Sequence, residues 1–277
     1  MTRFADLSPA ETLENGLVTW RSGGGVAVIT LTNPPANGYS HEMMRDLDQA
    51  ILRARFDDDV HVIVIAGEGE KFFCAGADIN ALNAMTQTFK YQFCLHANET
   101  LLRLEHTDKL TIAALGGHCV GGGLEIALAC DMRVARTGKG KIGLPEVALG
   151  VLPGTGGTQR LARAVGRAKS IDLMVTGELL DHAAAAELGL LNRQFPADSE
   201  DEFLDKVLAL AATFCPPGRA SMAVGLIKRS VQSGLEMGLE QGLALERELQ
   251  ARLFASDDAR EGLSAYVGRR TPEFTGK

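Results

Sequence analysis

Residues 110–130 of the chain read LTIAALGGHCVGGGLEIALAC, which passes from one mostly apolar run through glycines into a second apolar run. Thr111–Leu115 is short and nearly all apolar, which predicts a buried strand. Gly116–Gly123 predicts a turn, and Leu124–Cys130 predicts a short apolar helix. A strand that leads through a turn into a helix is typical of an α/β fold.

Two glutamates stand alone in the two longest uncharged stretches of the sequence. Glu125 is the only carboxylate between Leu110 and Cys130, and Glu146 is the only ionisable side chain between Ile142 and Gln159. A carboxylate in apolar surroundings is costly to ionise. One such residue can be a structural ion or a helix cap. Two of them, each beside a glycine cluster, favour a pair of acid/base groups that face a common pocket.

Composition limits the classes of function. The chain has 277 residues, of which 45% are hydrophobic, so it can bury one large core or a core with an appendage. The net charge is −7 and no basic stripe is present, which argues against a nucleic-acid partner. Apolar runs such as Val60–Ala66 are far too short to span a bilayer, and residues 1–16 lack the pattern of a targeting signal. We therefore expect a cytoplasmic protein with no membrane partner.

Cysteine and histidine usage gives no sign of a bound metal. The five cysteines are widely spaced and none forms a Cys-x-x-Cys pair, which argues against a disulfide framework and for a reducing compartment. The histidines do not pair at metal-ligand spacing. We expect no metal site.

The rest of the first half alternates strand and helix signals. Leu17–Arg21 and Val26–Leu31 predict a hairpin, and Ser40 predicts the cap of a helix that runs to about Phe56. Further strands are predicted at Val60–Ala66 and Met132–Ala135, and a helix at Thr88–Arg103. From Thr155 onward the periods are helical, with predicted helices at Thr158–Val165, Lys169–Val175, Asp181–Leu188, Glu200–Phe214, Ser221–Ser233 and Leu239–Phe254.

Three segments carry candidate chemistry. Phe73–Ile79 leads from a strand into a helix through small residues, which leaves backbone N–H groups free; the alternative is a tight turn in which Asp78 caps the helix. In Gly121–Glu125 three glycines open a helix whose first N–H groups could bind a developing negative oxygen; the alternative is close helix–strand packing. Gly143–Arg160 is glycine-rich but matches neither a P-loop nor a dinucleotide-binding fingerprint, and we interpret it as a turn and a helix start.

Together these segments resemble the crotonase family, the enoyl-CoA hydratase/isomerase superfamily. The resemblance is carried, in order and with family spacing, by Phe73–Ile79, Gly121–Asp131, Leu144–Glu146 and Pro153–Leu161, and by the terminal signatures Asn33–Asn37 and Glu261–Phe274. It implies an α/β fold built as a crotonase-type spiral of repeated ββα units with a C-terminal helical region. Residues 1–195 would form the core with the active site, and residues 196–277 would serve oligomerisation and cover the CoA.

The resemblance also implies roles for individual residues. The backbone N–H groups of Ala77 and Gly122 would bind the thioester oxygen as an oxyanion hole. Glu125 would act mainly as the base toward water, and Glu146 would deliver a proton to Cα. The CoA-binding residues would be Ala36, Ala75, Asp78, Ile79 and Tyr266, with Tyr266 reaching the CoA of a neighbouring subunit. Asn80 stands where many hydratases of the family have Lys, so one phosphate contact would be missing.

The function implied is that of an enoyl-CoA hydratase, which adds water across the Cα=Cβ bond of a 2-enoyl-CoA thioester. It would need no cofactor, since coenzyme A is part of the acyl-CoA substrate, and it would form a homotrimer or a hexamer. The alternatives are another crotonase reaction (enoyl-CoA isomerisation, or hydrolysis or dehydration of an acyl-CoA) and a non-catalytic RNA-binding relative. The acyl chain, the pathway and the role of His118 stay open.

Overall fold

The structure, a computed structural model, describes residues 3–277, except for the side chain of Asn80. The strands are β1 (Glu11–Thr12), β2 (Val18–Gly23), β3 (Val26–Leu31), β4 (Val62–Gly67), β5 (Phe72–Cys74), β6 (Leu110–Leu115), β7 (His118–Val120), β8 (Met132–Arg136), β9 (Lys141–Gly143), β10 (Leu180–Asp181) and β11 (Arg193–Phe195). The helices are α1 (His41–Phe56), α2 (Ile79–Ala84), α3 (Gln87–Glu105), α4 (Gly122–Leu128), α5 (Gly157–Val165), α6 (Arg167–Thr176), α7 (His182–Glu187), α8 (Glu200–Ala212), α9 (Ser221–Leu235), α10 (Leu239–Phe254) and α11 (Asp257–Val267). Single 3-10 turns cover Phe4–Asp6 and Glu146–Leu149.

The strands form two sheets. The larger has the order β1-β2-β3-β4-β6-β8-β11, antiparallel from β1 to β3 and parallel from β3 to β11. The smaller has the order β10-β9-β7-β5, in which β5, β7 and β9 are parallel and β10 is antiparallel to β9. From β4 to β9, strands that follow each other along the chain therefore alternate between the two sheets.

This alternation produces a repeated ββα unit. In each unit a long strand enters the larger sheet, a short strand enters the smaller sheet, and a helix or helical turn follows. The units are β4-β5-α2, β6-β7-α4 and β8-β9 with the 3-10 turn at Glu146–Leu149. Because β5, β7 and β9 are parallel neighbours, the segments that follow them lie at one edge of the smaller sheet.

Both faces of the larger sheet are buried, which explains the continuous apolar runs of its strands. Val28, Val62 and Val64 pack against α8 on one face, and Ile29, Ile63 and Ile65 pack with α1 on the other. The N–H of Met43 donates to the Ser40 hydroxyl at 3.3 Å, so Ser40 caps α1 as its sequence position predicts.

The predicted α/β class with repeated ββα units and C-terminal helices is confirmed. The predicted hairpin is formed by β2 and β3, and the predicted helices from α1 to α10 are present within a few residues. Gly116–Gly123, predicted as a turn, also contains strand β7, and the loop that carries Glu146 contains a 3-10 turn. The short strands β1, β9, β10 and β11 and the last helix α11 were not predicted.

The last strand ends at Phe195, and α8 to α11 follow it. Since α8 packs on β3, β4 and β6, this first C-terminal helix belongs to the core of the larger sheet. The functional division of the chain at residue 195 stays a prediction. Among the helices of residues 3–277, none combines the length and the apolar character needed to cross a bilayer.

Candidate active site

The candidate site lies where three neighbouring strands end. Ala77, Gly122 and Glu146 follow β5, β7 and β9, respectively, by two or three residues. Since these strands are parallel and adjacent, all three residues lie at the same edge of the smaller sheet. Glu125 is on α4, one turn after Gly122.

Two free backbone donors occupy this edge. Within the described residues, neither the N–H of Ala77 nor that of Gly122 donates to an acceptor. The two segments are in close contact, because a Cβ built on Gly76 would lie 3.0 Å from the Gly122 nitrogen. Unpaired N–H groups at the start of a helix suit an oxygen that gains negative charge.

Glycine is required at several points of these turns. Gly76 has φ +89° and Gly121 has φ +57°, conformations that a residue with a Cβ rarely adopts. A Cβ on Gly122 would collide with the ring of Tyr39. The glycines therefore allow the two turns and this ring to approach each other closely.

Glu125 is buried and tightly held. It is 2% exposed, and its Oε1 accepts hydrogen bonds from the N–H groups of Thr155 (2.8 Å) and Gly157 (2.7 Å). Its Oε2 accepts a hydrogen bond from the Thr155 hydroxyl. An ionised carboxylate has about four acceptor positions, so these donors fix its orientation and leave one position free for another donor.

Glu146 has a contrasting environment. It is half-buried at the start of its 3-10 turn, and its Oε2 is buried with no hydrogen-bond partner among residues 3–277. Burial raises the pKa of the Glu146 carboxyl from 4.5 to about 7; its own backbone N–H opposes this shift, and the Glu125 carboxylate adds to it. A buried orphan oxygen with a raised pKa is typical of a functional acid or base.

The structure brings the two glutamates together. The carboxylate of Glu146 lies against Gly121, where a built Cβ would be 3.2 Å from Oε1, and Gly121 immediately precedes the helix that carries Glu125. The charge of Glu125 contributes to the raised pKa of Glu146 because the two side chains are near each other. Two carboxyl groups in such different surroundings are suited to divide the roles of acid and base.

Sequence reasoning missed two polar residues beside this pair, Tyr39 and Thr155. Both are buried, and the Tyr39 hydroxyl lies 3.2 Å from Thr155 Oγ1. Their side chains come from segments 116 residues apart. Thr155 does lie in the same uncharged stretch as Glu146, but so does Thr158, so this position alone does not single it out.

The predicted CoA-binding residues occupy different positions. Ala36 and Ala75 are adjacent, since the Ala75 N–H donates to the Ala36 carbonyl at 2.9 Å. The Asp78 carboxylate accepts from the Ala81 N–H at 3.1 Å and so caps α2, while Ile79 is 52% exposed beside it. Tyr266 lies on α11 and is 87% exposed. The roles of these residues toward CoA stay predictions, and the side chain of Asn80 lies outside the described residues.

His118 has a packing role in this structure. It lies on β7, its ring centroid is 5.1 Å from that of Phe72, and its Nδ1 accepts from the Lys141 N–H at 3.0 Å. In the described part of the chain, no cluster of His, Cys, Asp and Glu side chains could hold a metal ion.

A separate cavity lies away from this edge. It has a volume of about 650 Å³, lies beside α9, and is lined by neither Glu125 nor Glu146. Its charged residues include the ion pairs Lys228–Asp131 (2.9 Å) and Arg160–Glu105 (2.6 Å). The glutamates remain the candidate site, because the buried Oε2 of Glu146 has no partner among the residues that the structure describes.

The fold and this site define the class of protein: a crotonase-type spiral with glycine turns and two glutamates at one edge of its smaller sheet. The family model described as enoyl-CoA hydratase/isomerase matches residues 21–277. The chain belongs to the enoyl-CoA hydratase/isomerase family.

Individual relatives agree with this assignment. The chain is 39% identical over 256 residues to a probable enoyl-CoA hydratase of Bacillus subtilis, covering 91% of this chain and 96% of the relative. It is 40% identical over 258 residues to a probable enoyl-CoA hydratase of Rhizobium meliloti, covering 91% and 95%. A crystal structure from Geobacillus kaustophilus, described as "Enoyl-CoA hydrates", matches with a TM-score of 0.92 and 43% identity over 97% of this chain and 100% of that chain. The predicted fold and the prediction that the chain is an enzyme of this family are confirmed.

Proposed function

We propose that the chain is an enoyl-CoA hydratase, which adds water across the Cα=Cβ bond of a 2-enoyl-CoA thioester. The observation that carries the proposal is the difference between the two glutamates. Glu125 is fixed by three hydrogen bonds, whereas Glu146 has an unpartnered buried oxygen and a pKa of about 7. Hydration needs one base and one acid at once, and such a pair can supply both near neutral pH.

The first requirement of the reaction is a site for negative charge. Attack of water at Cβ moves the electrons of the double bond toward the thioester carbonyl, whose oxygen becomes an enolate oxygen. The N–H groups of Ala77 and Gly122 would donate to it. Loss of one such donor typically costs about 10²–10³ in rate.

The second requirement is proton transfer at both carbons. Glu125 would accept a proton from water at its remaining acceptor position while the water oxygen bonds to Cβ. Glu146, in its protonated form, would deliver its proton to Cα and become a carboxylate. The product is a 3-hydroxyacyl-CoA, and return of one proton from Glu125 to Glu146 restores the starting state. Coenzyme A takes part only as a portion of the substrate, with no further cofactor.

The third requirement is room for a thioester with an apolar tail. Exposed apolar side chains flank the site: Ile79 after the Ala77 turn, and Val151 and Leu152 after the Glu146 turn. They are suited to contact an acyl chain or a second subunit. We propose Ala36, Ala75, Asp78 and Ile79 as the CoA-binding residues of the same subunit.

A homotrimer or a dimer of trimers would complete the site. The C-terminal helices expose large apolar side chains, among them Leu235, Leu239, Phe254 and Val267. Tyr266, next to Val267 on α11, is also exposed, which suits a role toward the CoA of a neighbouring subunit.

Double-bond isomerisation is the second candidate, because it needs mainly one carboxylate with a pKa near neutrality, and Glu146 has it. The test is the kinetics of Glu125→Gln and Glu146→Gln with enoyl-CoA thioesters of varied length and branching. A hydratase loses activity in both variants, and an isomerase loses it mainly in Glu146→Gln.

A further inference from the structure

A chain of hydroxyl groups ends on Glu125. The Thr155 hydroxyl contacts Glu125 Oε2, and the Tyr39 hydroxyl lies 3.2 Å from Thr155 Oγ1. A carboxylate only accepts hydrogen bonds, and a threonine hydroxyl has one proton to donate. Thr155 therefore donates to Glu125, and Tyr39 donates to Thr155.

Tyr39 keeps its donor proton over the working pH range. The residue is 4% exposed, and burial raises the pKa of its phenol well above the usual value; the neighbouring Glu125 carboxylate acts in the same direction. The direction of the hydrogen bonds is thus fixed from Tyr39 through Thr155 to Glu125. Each bond in such a chain polarises the next.

The same tyrosine also contacts both segments of the proposed oxyanion hole. Its ring packs so closely on Gly122 that a Cβ there would collide with it. Its N–H donates to the Gly76 carbonyl at 2.9 Å, and its own carbonyl accepts from the Asp78 N–H at 3.2 Å, so its backbone pairs on both sides of Ala77. A shift of Tyr39 would therefore move both backbone donors.

We infer that Tyr39 and Thr155 are positioning residues that fix the Glu125 carboxylate relative to the N–H groups of Ala77 and Gly122. The ring and backbone of Tyr39 contact both segments that carry these N–H groups. The hydroxyls of Tyr39 and Thr155 form the hydrogen bonds that lead to Glu125. Thr155 stabilises the ionised, correctly oriented form of Glu125, and the Tyr39 hydroxyl strengthens that bond. The inference rests on the proposed function, since it assigns further residues to the same site.

A double-mutant cycle tests this chain of hydrogen bonds. Tyr39→Phe removes only the hydroxyl and keeps the ring; we expect kcat for enoyl-CoA hydration to fall about three- to tenfold with little change in KM. Thr155→Val should lower kcat further, because the Glu125 carboxylate loses one of the three donors that fix its orientation. Thr155→Ser, which keeps the hydroxyl, should recover most of the activity.

The decisive variant combines Tyr39→Phe with Thr155→Val. If Tyr39 acts through Thr155, its substitution has no further effect on kcat once the Thr155 hydroxyl is gone. Equal losses from Tyr39→Phe in both backgrounds would overturn the inference. The matched control is Thr100→Val, because Thr100 is also fully buried but its hydroxyl has no partner among the described residues; it should leave kcat unchanged.

The wild type, Tyr39→Phe, Thr155→Val and the double variant are also compared by thermal unfolding, which needs no activity. Coupled changes in Tm for Tyr39→Phe and Thr155→Val support the contact, and additive changes overturn it. If the wild-type chain hydrates no enoyl-CoA, the proposed function fails, and the hydrogen-bond chain is judged by the Tm cycle alone. The two failures are therefore distinguishable.

Discussion

The carboxylate of Glu125 accepts three hydrogen bonds, whereas Oε2 of the neighbouring Glu146 accepts none from any described residue. The two residues are chemically identical, so their surroundings alone set them apart. One is held as an oriented acceptor, and the other has a pKa raised to about 7, by burial first and by its partner's charge in addition. Two carboxyl groups whose hydrogen bonding differs in this way are suited to divide the roles of base and acid.

The pH dependence of hydration follows from the raised pKa of Glu146. If Glu146 must be protonated to deliver a proton to Cα, the free enzyme loses its active form as pH rises through about 7. We expect kcat/KM to fall above that pH, approaching tenfold per pH unit. Initial rates with a short 2-enoyl-CoA between pH 6 and 9 test this; a flat profile up to pH 9 would contradict the acid role.

The stability of the fold should depend on the same group. The folded pKa of Glu146 lies above its unfolded value, so its contribution to the free energy of unfolding is fully present below about pH 4.5 and is lost as pH rises through about 7. Glu146→Gln stays uncharged and avoids this loss. We expect the variant to gain stability relative to wild type at pH 8 but not at pH 4.5.

Urea denaturation of both proteins at the two pH values measures this difference. Glu187→Gln is the control, because Glu187 is exposed on α7 and its substitution should not give a pH-dependent gain. An equal effect of Glu146→Gln at both pH values would show that this carboxyl is not buried as described.

The contact between Gly122 and Tyr39 leaves no room for a side chain. Gly122→Ala should push the Tyr39 ring or the start of α4 aside, and overpacking of this kind typically costs about 1–3 kcal/mol. Because the N–H of Gly122 would move as well, we expect a loss of both Tm and kcat.

A second glycine substitution serves as the comparison. Gly234 lies in α9, and a Cβ there would meet nothing within 4 Å. Gly234→Ala should raise or preserve Tm, since alanine is favoured over glycine inside a helix by about 0.5–1 kcal/mol. If Gly122→Ala were as stable and active as Gly234→Ala, the close packing around the candidate oxyanion hole would be wrong.

The exposed apolar surface of α9 to α11 predicts self-association. We expect light scattering to give three or six times the mass of one chain. Leu239→Glu and Val267→Glu place charges on side chains that are 79% and 83% exposed in the single chain, so they should lower the mass without unfolding it. A wild-type protein that stays monomeric at micromolar concentration would rule out the oligomeric proposal.

Most helices and the long strands could be predicted from the sequence, whereas helix α11 and most of the short strands could not. β4 is a continuous apolar run and β6 a nearly continuous one, and α1 has both an apolar stripe and a capping serine. The pattern that predicts each of these elements therefore lies within its own segment. β7, β9 and β11 have three residues each, too few to show alternation, and β10 has two. Such strands form because partners distant in sequence supply the hydrogen bonds.

The same reasoning applies to the candidate site. Glu125 and Glu146 were recognised because each is alone in an uncharged stretch, and their surroundings in the structure agree with that isolation. Tyr39 and Thr155 were not recognised, because a tyrosine before a helix and a threonine among glycines have no unusual local pattern. Only the fold brings their hydroxyls together, across 116 residues of chain.

The most direct test of the central claim is the rate of hydration of a 2-enoyl-CoA thioester by Glu125→Gln and Glu146→Gln beside the wild type. Each variant removes one proton-transfer group, so each should lower kcat by about 10²–10⁴ and leave the affinity for CoA near that of wild type. Full hydratase activity in either variant, or a wild-type enzyme that hydrates no member of a broad enoyl-CoA panel, would contradict a two-glutamate hydratase.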